Sequence, residues 1–418
     1  MTNAAPVQSP SSSILRRDEL THRGNLIGTR YGWLRLTPAY SVHLVESMIL
    51  QIAGESLNVL DPFCGTGTTA LACAQRGLAA TTVDINPFLV WLAGAKCANY
   101  SPEIINAAKV GADSVASAIL DVKAGRCWIP NLHQIDKWWD ASTLNAISRA
   151  AARIEQLGPI GRSPAADLLR VVFCQIMIGS AHVSFGHQSM SFRRKSVEAE
   201  LFPSEPEMDL AQRWRTAARD VLNSAALPLE PVPRVLLGDA RSLGELFARP
   251  KFDLVITSPP YPNRMSYIRE LRPYMYWLGF LSDGAAAGEL DWRAIGGTWG
   301  SATSRLGEWK QADSLRQFPE LLSLCDGIRA RSGILATYIE RYFADMQQHC
   351  MGLAQVVRPG GIVRYIVGNS KFYEHVLPVE QLFAKLFSLS GFSDIQIRRL
   401  RKRTSKKELY EFEVSARR

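Results

Sequence analysis

The sequence has few cysteines and no long apolar run, and both scarcities narrow the possible classes of protein. Its seven cysteines are scattered singly over 418 residues, with no CxxC pair and no Cys/His cluster at metal-ligand spacing. We therefore expect reduced thiols, no disulfide framework and no metal site. The apolar stretches, such as Val171–Ile178, are much shorter than the roughly 18 residues that cross a bilayer. Since no secretory signal is recognised either, we expect a cytoplasmic globular protein without a membrane partner.

Two common nucleotide-binding patterns are also missing. The chain contains neither the GxGxxG string of dinucleotide-binding proteins nor the GK[ST] sequence of a P-loop. A dinucleotide and a nucleoside triphosphate are therefore not the favoured ligands.

The net charge of the chain gives a weaker indication of its binding partner. The chain has 48 Lys and Arg against 39 Asp and Glu, a formal net charge of +9. Such a balance favours a polyanionic partner, because binding phosphates releases condensed counterions. Colloidal solubility explains a mild basic excess equally well, so charge alone leaves the partner open.

Strand and helix signals alternate in two separate parts of the chain. Residues 1–15 are rich in Ser, Pro, Ala and Asn, and we expect a flexible tail there. Between 16 and 100, the pattern predicts a helix from Val42 with Ser41 as N-cap, strands at 57–61 and 79–84, and helices at 68–76 and 87–98. Alternation resumes after 231, with strands at 234–238, 252–257 and 361–368, a helix at 377–390, and closing strands near 395–400 and 409–414.

The stretch between the two parts has a different pattern. Residues 101–230 show mostly helical spacing and few alternating strands. We therefore predict a doubly wound, Rossmann-like α/β fold built from residues 16–100 and 231–418, with a large helical insertion at 101–230.

The string DPFCGTGTT, residues 61–69, lies at a predicted strand-to-helix turn. Gly65 and Gly67 allow the backbone to approach a ligand closely, and the helix N-terminus beyond them favours a carboxylate. About twenty residues further on, Asp84 ends the next strand, where its side chain can accept hydrogen bonds from ribose hydroxyls. This arrangement favours a ligand with an adenosine moiety. The alternative is a tight turn and a capping Asp without any ligand.

A second string, TSPPY at residues 257–261, follows the strand 252–257. It falls at the carboxyl edge of the sheet, where α/β folds place their chemistry. The Ser258 hydroxyl and the Pro259 carbonyl are hydrogen-bond acceptors, and Tyr261 offers a stacking face for an extruded base. Without a ligand, the string would be a proline-rich turn closed by an aromatic plug.

In this order, the two strings resemble the cofactor and catalytic motifs of S-adenosylmethionine-dependent DNA methyltransferases that modify amino groups, the cytosine-N(4)/adenine-N(6) type. The resemblance covers roughly residues 20–100 and 230–416. It implies a methyltransferase fold, S-adenosylmethionine as cofactor and DNA, double-stranded, as partner. It also raises the prospect of a restriction-modification system with a cognate restriction enzyme encoded separately.

The resemblance also implies roles for individual residues. The catalytic residues would be Ser258, Pro259, Pro260 and Tyr261. The cofactor would be bound by Thr37, Pro38, Tyr40, Asp61, Phe63, Gly65, Thr66, Gly67, Asp84 and Asp239. Two of these assignments have alternatives: Asp239 could equally cap a helix starting near Arg241, and Thr37–Ser41 could be a helix-capping turn.

The residue before PPY bears on the target base. Similar enzymes carry Asp or Asn there when adenine is the usual target, whereas Ser is typical of cytosine 4-amino methylation. A cytosine-5 enzyme would need a catalytic cysteine, and here no cysteine follows a proline or falls in the loop after the fourth strand. We therefore favour transfer to the 4-amino group of a flipped cytosine. The alternatives are adenine N6, an RNA base, and a non-catalytic DNA-binding partner subunit.

Candidate nucleic-acid contacts come from three places. In the insertion, a candidate target-recognition domain, the segment 185–195 mixes polar, aromatic and basic residues. The segment after the catalytic string and a basic hairpin before the last strand supply the others, although a merely solvated hairpin is an alternative. The candidate residues are His187, Gln188, Arg193, Arg194, Lys195, Asn263, Arg264, Arg401, Arg403 and Lys406. We interpret Trp128, Trp138 and Trp139 as helix-packing residues.

Overall fold

The central sheet organises the molecule. The computed structural model describes residues 29–34, 40–52, 57–184, 191–192, 206–263, 266–297, 304–403 and 408–418. Within these ranges, seven strands form one sheet in the order β6-β7-β5-β4-β1-β2-β3. The strands are β1 (Asn58–Asp61), β2 (Ala79–Asp84), β3 (Arg234–Leu237), β4 (Phe252–Thr257), β5 (Val357–Gly368), β6 (Ser393–Lys402) and β7 (Tyr410–Arg417).

The direction of the strands explains where a ligand can bind. From β3 through β2, β1 and β4 to β5, all neighbours are parallel, whereas β7 is antiparallel to both β5 and β6. The chain builds outward from β1 to β3 and then returns to β4 on the other side of β1. Ligands bind beyond the carboxyl ends of strands at such a reversal. The fold is therefore doubly wound and Rossmann-like, which confirms the predicted class.

Helices cover the sheet and extend beyond it. They are α1 (Val42–Leu50), α2 (Thr68–Ala74), α3 (Pro87–Cys97), α4 (Pro102–Leu120), α5 (Ile135–Trp138), α6 (Ala141–Leu157), α7 (Pro164–Gly179), α8 (Pro206–Ala225), α9 (Leu243–Leu246), α10 (Tyr267–Trp277), α11 (Gly284–Arg293), α12 (Pro319–Arg329), α13 (Gly333–Val356) and α14 (Val379–Leu389). Short 3₁₀ helices lie at Arg30–Trp33, Val122–Ala124, Ala240–Ser242 and Asp313–Gln317. Two small antiparallel ribbons pair Val183–Ser184 with Ser191–Phe192 and Ser370–Phe372 with His375–Leu377.

Side-chain alternation along the strands creates two cores. Val59 and Leu254 face one side of the sheet and pack with α1 and α2. Leu60 and Val255, one position further along each strand, face the other side and pack with α12, α13 and α14. This period of two, with both faces apolar, is what a parallel sheet covered by helices requires.

The helices α4 to α8 form a third core that is shared with neighbouring elements. Trp214 is fully buried and its indole donates to the Ala112 carbonyl over 2.9 Å. The same core includes Phe88 of α3, whose ring stacks at 5.5 Å on Tyr274 of α10. The core therefore crosses the predicted insertion boundaries near 100 and 230, and the division into domains stays a proposal. Among the described helices, none is long and apolar enough to span a membrane.

The three tryptophans of this region have two different environments. Trp138 and Trp139 are each 1% exposed and stack on one another, in agreement with a packing role. Trp128 is 61% exposed, so its interpretation as a helix-packing residue was wrong. It lies on the irregular segment between α4 and α5, and its ring is perpendicular to that of Trp277, with the centroids 6.2 Å apart.

Candidate active site

The loop after β1 makes a tight turn that starts α2. The Cys64 amide donates to the Val83 carbonyl, and the Gly67 amide donates to the Cys64 carbonyl, each over 2.9 Å. Gly65 and Gly67 have φ values of +51° and +80°, the left-handed region that favours glycine. Thr66, between them, is buried, and its hydroxyl lies 3.3 Å from that of Thr68. Backbone hydrogen bonds, one within the turn and one to β2, therefore hold its shape.

The two glycines of this loop meet different surroundings. A Cβ atom on Gly65 would approach only the Phe63 carbonyl oxygen, at 3.9 Å, so space is open above the loop. A Cβ atom on Gly67 would lie 3.1 Å from Cβ of Ala93 in α3. Gly65 thus leaves room for a ligand, whereas Gly67 allows α2 and α3 to pack closely.

Asp61, the last residue of β1, connects the two sequence strings. It is 2% exposed, and its Oδ1 accepts hydrogen bonds from Thr257 Oγ1 at 2.6 Å and from the Phe63 amide at 3.1 Å. Its Oδ2 accepts from the Tyr40 hydroxyl at 3.3 Å, and that hydroxyl also contacts Thr69. Burial raises the pKa of Asp61, and the Thr257 hydrogen bond opposes this rise. Asp61 therefore anchors the residue directly before Ser258.

Asp84, at the end of β2, faces the cofactor loop. Its Oδ2 accepts from the Gly65 amide and its Oδ1 from the Asn86 amide, both at 2.9 Å. Burial raises the pKa of Asp84 to about 6, although the two amide hydrogen bonds act in the opposite direction. Each oxygen retains a further lone pair for a hydroxyl donor. An acceptor beside an open glycine turn fits a ribose-bearing cofactor.

Asp239, beyond β3, is engaged by a neighbouring arginine. Its carboxylate caps the 3₁₀ helix through the Arg241 amide at 2.9 Å and accepts from Arg241 Nη2 at 2.6 Å. Burial raises its pKa, but the Arg241 hydrogen bonds outweigh burial and hold the pKa below its usual value. Arg241 also donates to Asp345 at 2.9 Å. The capping alternative therefore describes this geometry, and a contact with adenine stays a prediction.

A buried histidine supports the wall of the loop. The ring of Phe63, which is partly exposed, meets His349 of α13 edge-on at 4.8 Å. His349 is fully buried; its Nδ1 lies 2.7 Å from the Ala240 carbonyl and its Nε2 lies 2.6 Å from the Tyr365 hydroxyl. A carbonyl only accepts, so Nδ1 carries the proton and Nε2 accepts from Tyr365. Burial lowers the pKa of His349 to about 4, which keeps the ring neutral.

The TSPPY loop is held from three sides. Ser258 Oγ donates to the Ile366 carbonyl at 3.2 Å and lies 3.4 Å from the Tyr261 hydroxyl. The Tyr342 hydroxyl of α13 donates to the Pro260 carbonyl at 2.8 Å. Pro259 is buried, and the backbone amide of Tyr261 lies 3.4 Å from the Tyr267 hydroxyl. Strand β5 and helices α10 and α13 therefore organise this loop before a substrate arrives.

The β6–β7 hairpin reaches the same loop. Arg401 makes two hydrogen bonds to Glu411 across the hairpin, at 2.6 and 3.0 Å. Arg403 lies over the Tyr261 ring, with Cζ 5.1 Å from the ring centroid, and its Nη1 donates to the Asn369 carbonyl at 3.0 Å. In the described structure, both arginines thus have intramolecular partners, and phosphate contacts stay a prediction.

The remaining candidates divide into two groups. Asn263 is partly exposed, and its amide donates to the Tyr261 carbonyl at 2.8 Å. The others lie outside the described residues, namely Thr37, Pro38, His187, Gln188, Arg193, Arg194, Lys195, Arg264 and Lys406. Their proposed roles stay predictions.

Comparison with known proteins points in the same direction as this geometry. Residues 24–93 match a sequence family described as DNA methylase. The Type II methyltransferase M.BsoBI of Geobacillus stearothermophilus is 21% identical over 442 aligned positions, which cover 93% of this chain and 83% of the relative. The Type II methyltransferase M.MvaI of Kocuria varians is 22% identical, with coverage of 88% and 81%. The family match and these Type II methyltransferase relatives support the DNA amino-methyltransferase family for this chain.

A third methyltransferase relative is similar over a shorter range. The Type II methyltransferase M.AvaI of a Nostoc species is 32% identical over 74 residues, 18% of this chain and 15% of the relative. Among solved structures, an rRNA methyltransferase, aviRa from Streptomyces viridochromogenes, aligns with a TM-score of 0.29 and 11% identity over 92% of this chain and 89% of that one. This structural similarity is too low to support an inference about this chain. Members of the DNA amino-methyltransferase family normally use S-adenosylmethionine.

The candidate site also contains residues that the sequence did not single out. Thr257 joins the two strings through Asp61, and Tyr342 holds the catalytic loop. His349 and Tyr365 form a buried pair behind Phe63. Only Thr257 carried a sequence signal, because it opens the TSPPY string. The others lie on α13 and β5, about 80 to 110 residues further along the chain, and no local pattern marks them.

Proposed function

We propose that this methyltransferase transfers the methyl group of S-adenosylmethionine to the exocyclic 4-amino group of a cytosine extruded from double-stranded DNA. The hydrogen bond of Ser258 is the observation that carries this proposal. Its hydroxyl proton is directed at the Ile366 carbonyl, so its lone pairs can accept from an amino group. A Ser before PPY, rather than Asp or Asn, supports cytosine as the target.

The chemistry requires the amino nitrogen to release its lone pair from the ring. Acceptors at Ser258 Oγ and the Pro259 carbonyl would take the two N–H groups and direct the lone pair out of the base plane. Tyr261 would hold the base by stacking. Because α13 and β5 already fix the loop, little reorganisation is needed when the base enters.

The cofactor half of the site would use the loop after β1. When bound, S-adenosylmethionine supplies an electrophilic methyl group. Asp84 would accept from the ribose hydroxyls, and the open space at Gly65 would admit the cofactor against the backbone. Phe63 and Tyr40 would line the remaining wall, with Asp61 holding both of them by hydrogen bonds.

DNA binding is proposed for the surfaces around this edge of the sheet. The net charge of +9 favours a polyanion. We assign target recognition to the region of α4 to α8 together with the ribbon of Val183–Ser184 and Ser191–Phe192, which follows α7. The similarity to Type II methyltransferases supports a role in restriction-modification, with a restriction enzyme that reads the same sequence.

The decisive experiment is mass spectrometry of nucleosides after incubation with methyl-labelled cofactor. The substrates are unmethylated genomic duplex DNA and, separately, RNA. We expect labelled N4-methyldeoxycytidine, which Ser258→Ala should abolish while Ser388→Ala, on the exposed side of α14, retains it. Sequencing of the product would then give the recognition sequence, and protection from a restriction enzyme that reads it would test the proposed partner.

The other outcomes correct the proposal in defined ways. Labelled N6-methyldeoxyadenosine would keep the mechanism and replace the base. Label confined to RNA would replace the substrate. Cofactor binding without any label would contradict transfer by this chain alone and favour a non-catalytic DNA-binding partner subunit.

A further inference from the structure

We propose that Arg403 positions the ring of Tyr261 for base stacking, and that it acts through this ring rather than through a DNA phosphate. The inference rests on the proposed function, because it assigns a role within the same site. It also departs from the sequence-based expectation, which placed Arg403 among phosphate-binding residues of the hairpin.

The anchoring of Arg403 directs its side chain to the ring. Its backbone amide donates to the Leu409 carbonyl at 2.7 Å, so its backbone is fixed at the loop end of the hairpin. Its Nη1 donates to the Asn369 carbonyl at 3.0 Å, and Cζ lies 5.1 Å from the centre of the Tyr261 ring. A planar guanidinium with one edge held in this way stacks well on an aromatic ring.

Asn369 connects the hairpin to the end of β5. Its Oδ1 accepts from the Tyr410 amide at 2.7 Å, and its Nδ2 donates to the Glu408 carbonyl at 3.1 Å. The side chain is buried. The carbonyl that accepts from Arg403 therefore belongs to Asn369, whose side chain is fixed by two hydrogen bonds to the hairpin. This restrains the position of the guanidinium as well.

The other cations of the hairpin have other partners. The Arg399 guanidinium lies over the Tyr410 ring, with Cζ 5.0 Å from the ring centroid. Arg398 pairs with Glu413, Arg401 with Glu411, and Lys402 with Glu408. Within the described part of the chain, Arg403 makes no ion pair with a carboxylate. Its guanidinium contacts the Tyr261 ring and the Asn369 carbonyl. These contacts fit a role in positioning the ring better than a role in the ion pairs across the hairpin.

The end of β5 leaves no space between these groups. A Cβ atom on Gly368 would lie 2.6 Å from Nη1 of Arg403 and 2.8 Å from Cε2 of Tyr261. The guanidinium and the ring edge are thus both pressed against this glycine. Tyr261 is otherwise held at its hydroxyl, near Ser258, and at its amide, near Tyr267. Arg403 therefore restrains the ring face itself.

The first test observes the ring and needs no catalysis. A fluorinated tyrosine is placed at position 261, and its ¹⁹F resonance is followed in the full-length protein. Arg403→Ala is expected to shift and broaden the resonance relative to the otherwise unchanged protein. Lys402→Ala removes a neighbouring cation that lies over Tyr410 instead, and should leave the resonance in place. An unchanged resonance in Arg403→Ala would overturn the proposal.

The second test is a double-mutant cycle on single-turnover methyl transfer with saturating cofactor and DNA. We expect Arg403→Ala to slow transfer about tenfold when Tyr261 is present and to have little effect in a Tyr261→Leu background. Cofactor affinity should be unchanged. Lys402→Ala and Tyr261→Leu should instead combine additively. Additive effects of Arg403→Ala and Tyr261→Leu would mean that Arg403 acts independently of the ring.

A charge-preserving variant separates stacking from phosphate binding. Arg403→Lys keeps the positive charge but loses the planar group, so transfer should stay close to the rate of Arg403→Ala. Recovery of the wild-type rate in Arg403→Lys would instead indicate a phosphate contact and overturn the proposal. If the wild-type protein methylates nothing, the proposed function fails, while the ¹⁹F comparison still decides whether Arg403 holds the ring.

Discussion

Gly65 and Gly67, two glycines of the DPFCGTGTT string, have different roles in the loop after β1. Both have positive φ, yet only Gly67 faces the backbone of a neighbouring helix. Gly65 faces open space beside Asp84 and donates its amide to that carboxylate. The residue that packs and the residue that admits a ligand are therefore two positions apart.

This difference predicts unequal effects of alanine. Gly67→Ala combines left-handed strain with a close approach to Ala93 and should lower the free energy of unfolding by about 2–3 kcal/mol. Gly65→Ala should cost about 1 kcal/mol in stability through strain alone and should mainly weaken cofactor binding. Urea unfolding and cofactor titration of the two variants check this, and equal losses of stability would contradict it.

Asp84 should make cofactor binding depend on pH. Its pKa is raised to about 6, chiefly by burial, so the carboxylate is ionised at pH 7 and protonated at pH 5. Protonation removes the charged acceptor, and cofactor affinity should therefore fall as the pH drops through 6. Calorimetric titration between pH 5 and 8 measures the effect. In Asp84→Asn, affinity should be weaker and this pH dependence should be absent; a matching pH profile in that variant would assign it to another group.

Loss of either proposed catalytic side chain should affect transfer and not cofactor binding. Ser258→Ala removes the proposed acceptor, and Tyr261→Ala removes the proposed stacking surface. We expect each to slow single-turnover transfer by a factor of about 100 or more, with the cofactor dissociation constant changed less than about threefold. Radiolabel transfer and equilibrium binding give the two numbers. Wild-type turnover by Tyr261→Ala would refute the stacking role.

At the scale of elements, α13 is the main support of the site, although the sequence did not predict this helix. Through Tyr342 it holds the catalytic loop, and through His349 it supports Phe63 and the loop after β3. A single helix thus fixes parts of both the cofactor side and the base side. Its 24 residues are long enough to pass behind both.

The buried His349 predicts a specific dependence of stability on pH. Its pKa is about 4 in the folded protein and 6.5 in a model peptide, so the unfolded chain binds a proton that the folded chain does not between these values. The neutral ring therefore contributes fully above about pH 6.5, and the contribution is lost as the pH falls towards 4. The difference corresponds to an upper limit of about 3 kcal/mol.

A comparison of variants isolates the contribution of His349 to the free energy of unfolding. Between pH 4 and 6.5, the free energy of unfolding should rise less steeply with pH in His349→Gln than in the wild type. Asp84 acts in the opposite direction over part of this range, but it is common to both proteins and cancels in the difference. His133→Gln, at an exposed position between α4 and α5, is the matched control. Parallel pH profiles for wild type and His349→Gln would contradict the assignment.

At the scale of the whole molecule, the fold brings both sequence strings to one edge of the sheet and places the basic hairpin beside them. The order of β4, β1 and β2 explains why Asp61, Asp84 and Ser258 are neighbours. Helices α3 and α10 share one hydrophobic core with α4 to α8, so these helices are continuous with this edge of the sheet. A duplex lying against the edge would meet residues from several distant segments.

The net charge predicts how such a duplex would bind. Affinity for non-target DNA should fall at least tenfold between about 50 and 200 mM salt, because counterions released by each phosphate contact must be recovered. Fluorescence anisotropy with a labelled duplex of random sequence measures this slope. An affinity independent of salt would contradict a binding surface based on phosphate contacts.

Much of the sheet followed from local pattern. β4 was predicted with its observed bounds, and β1, β2 and the helices after them were predicted to within a few residues. Their signals are local: glycine at positive φ, a capping side chain and short apolar runs. The region between 267 and 356 was not resolved into helices, because its apolar residues serve two different cores and show no single simple stripe.

The sequence by itself determined the class of fold and the glycine turn after β1, and it predicted a cofactor role for that turn and a catalytic role for TSPPY, because each depends on neighbouring residues and their backbone preferences. Tertiary structure alone decided that Asp61 bonds to Thr257, that Arg241 engages Asp239 together with Asp345, and that Arg403 covers Tyr261. Three of these contacts, Asp61 with Thr257, Arg241 with Asp345 and Arg403 with Tyr261, join residues that are more than 100 positions apart. Their partners are selected by how strands and helices pack, and the spacing of residues along the chain does not encode that geometry.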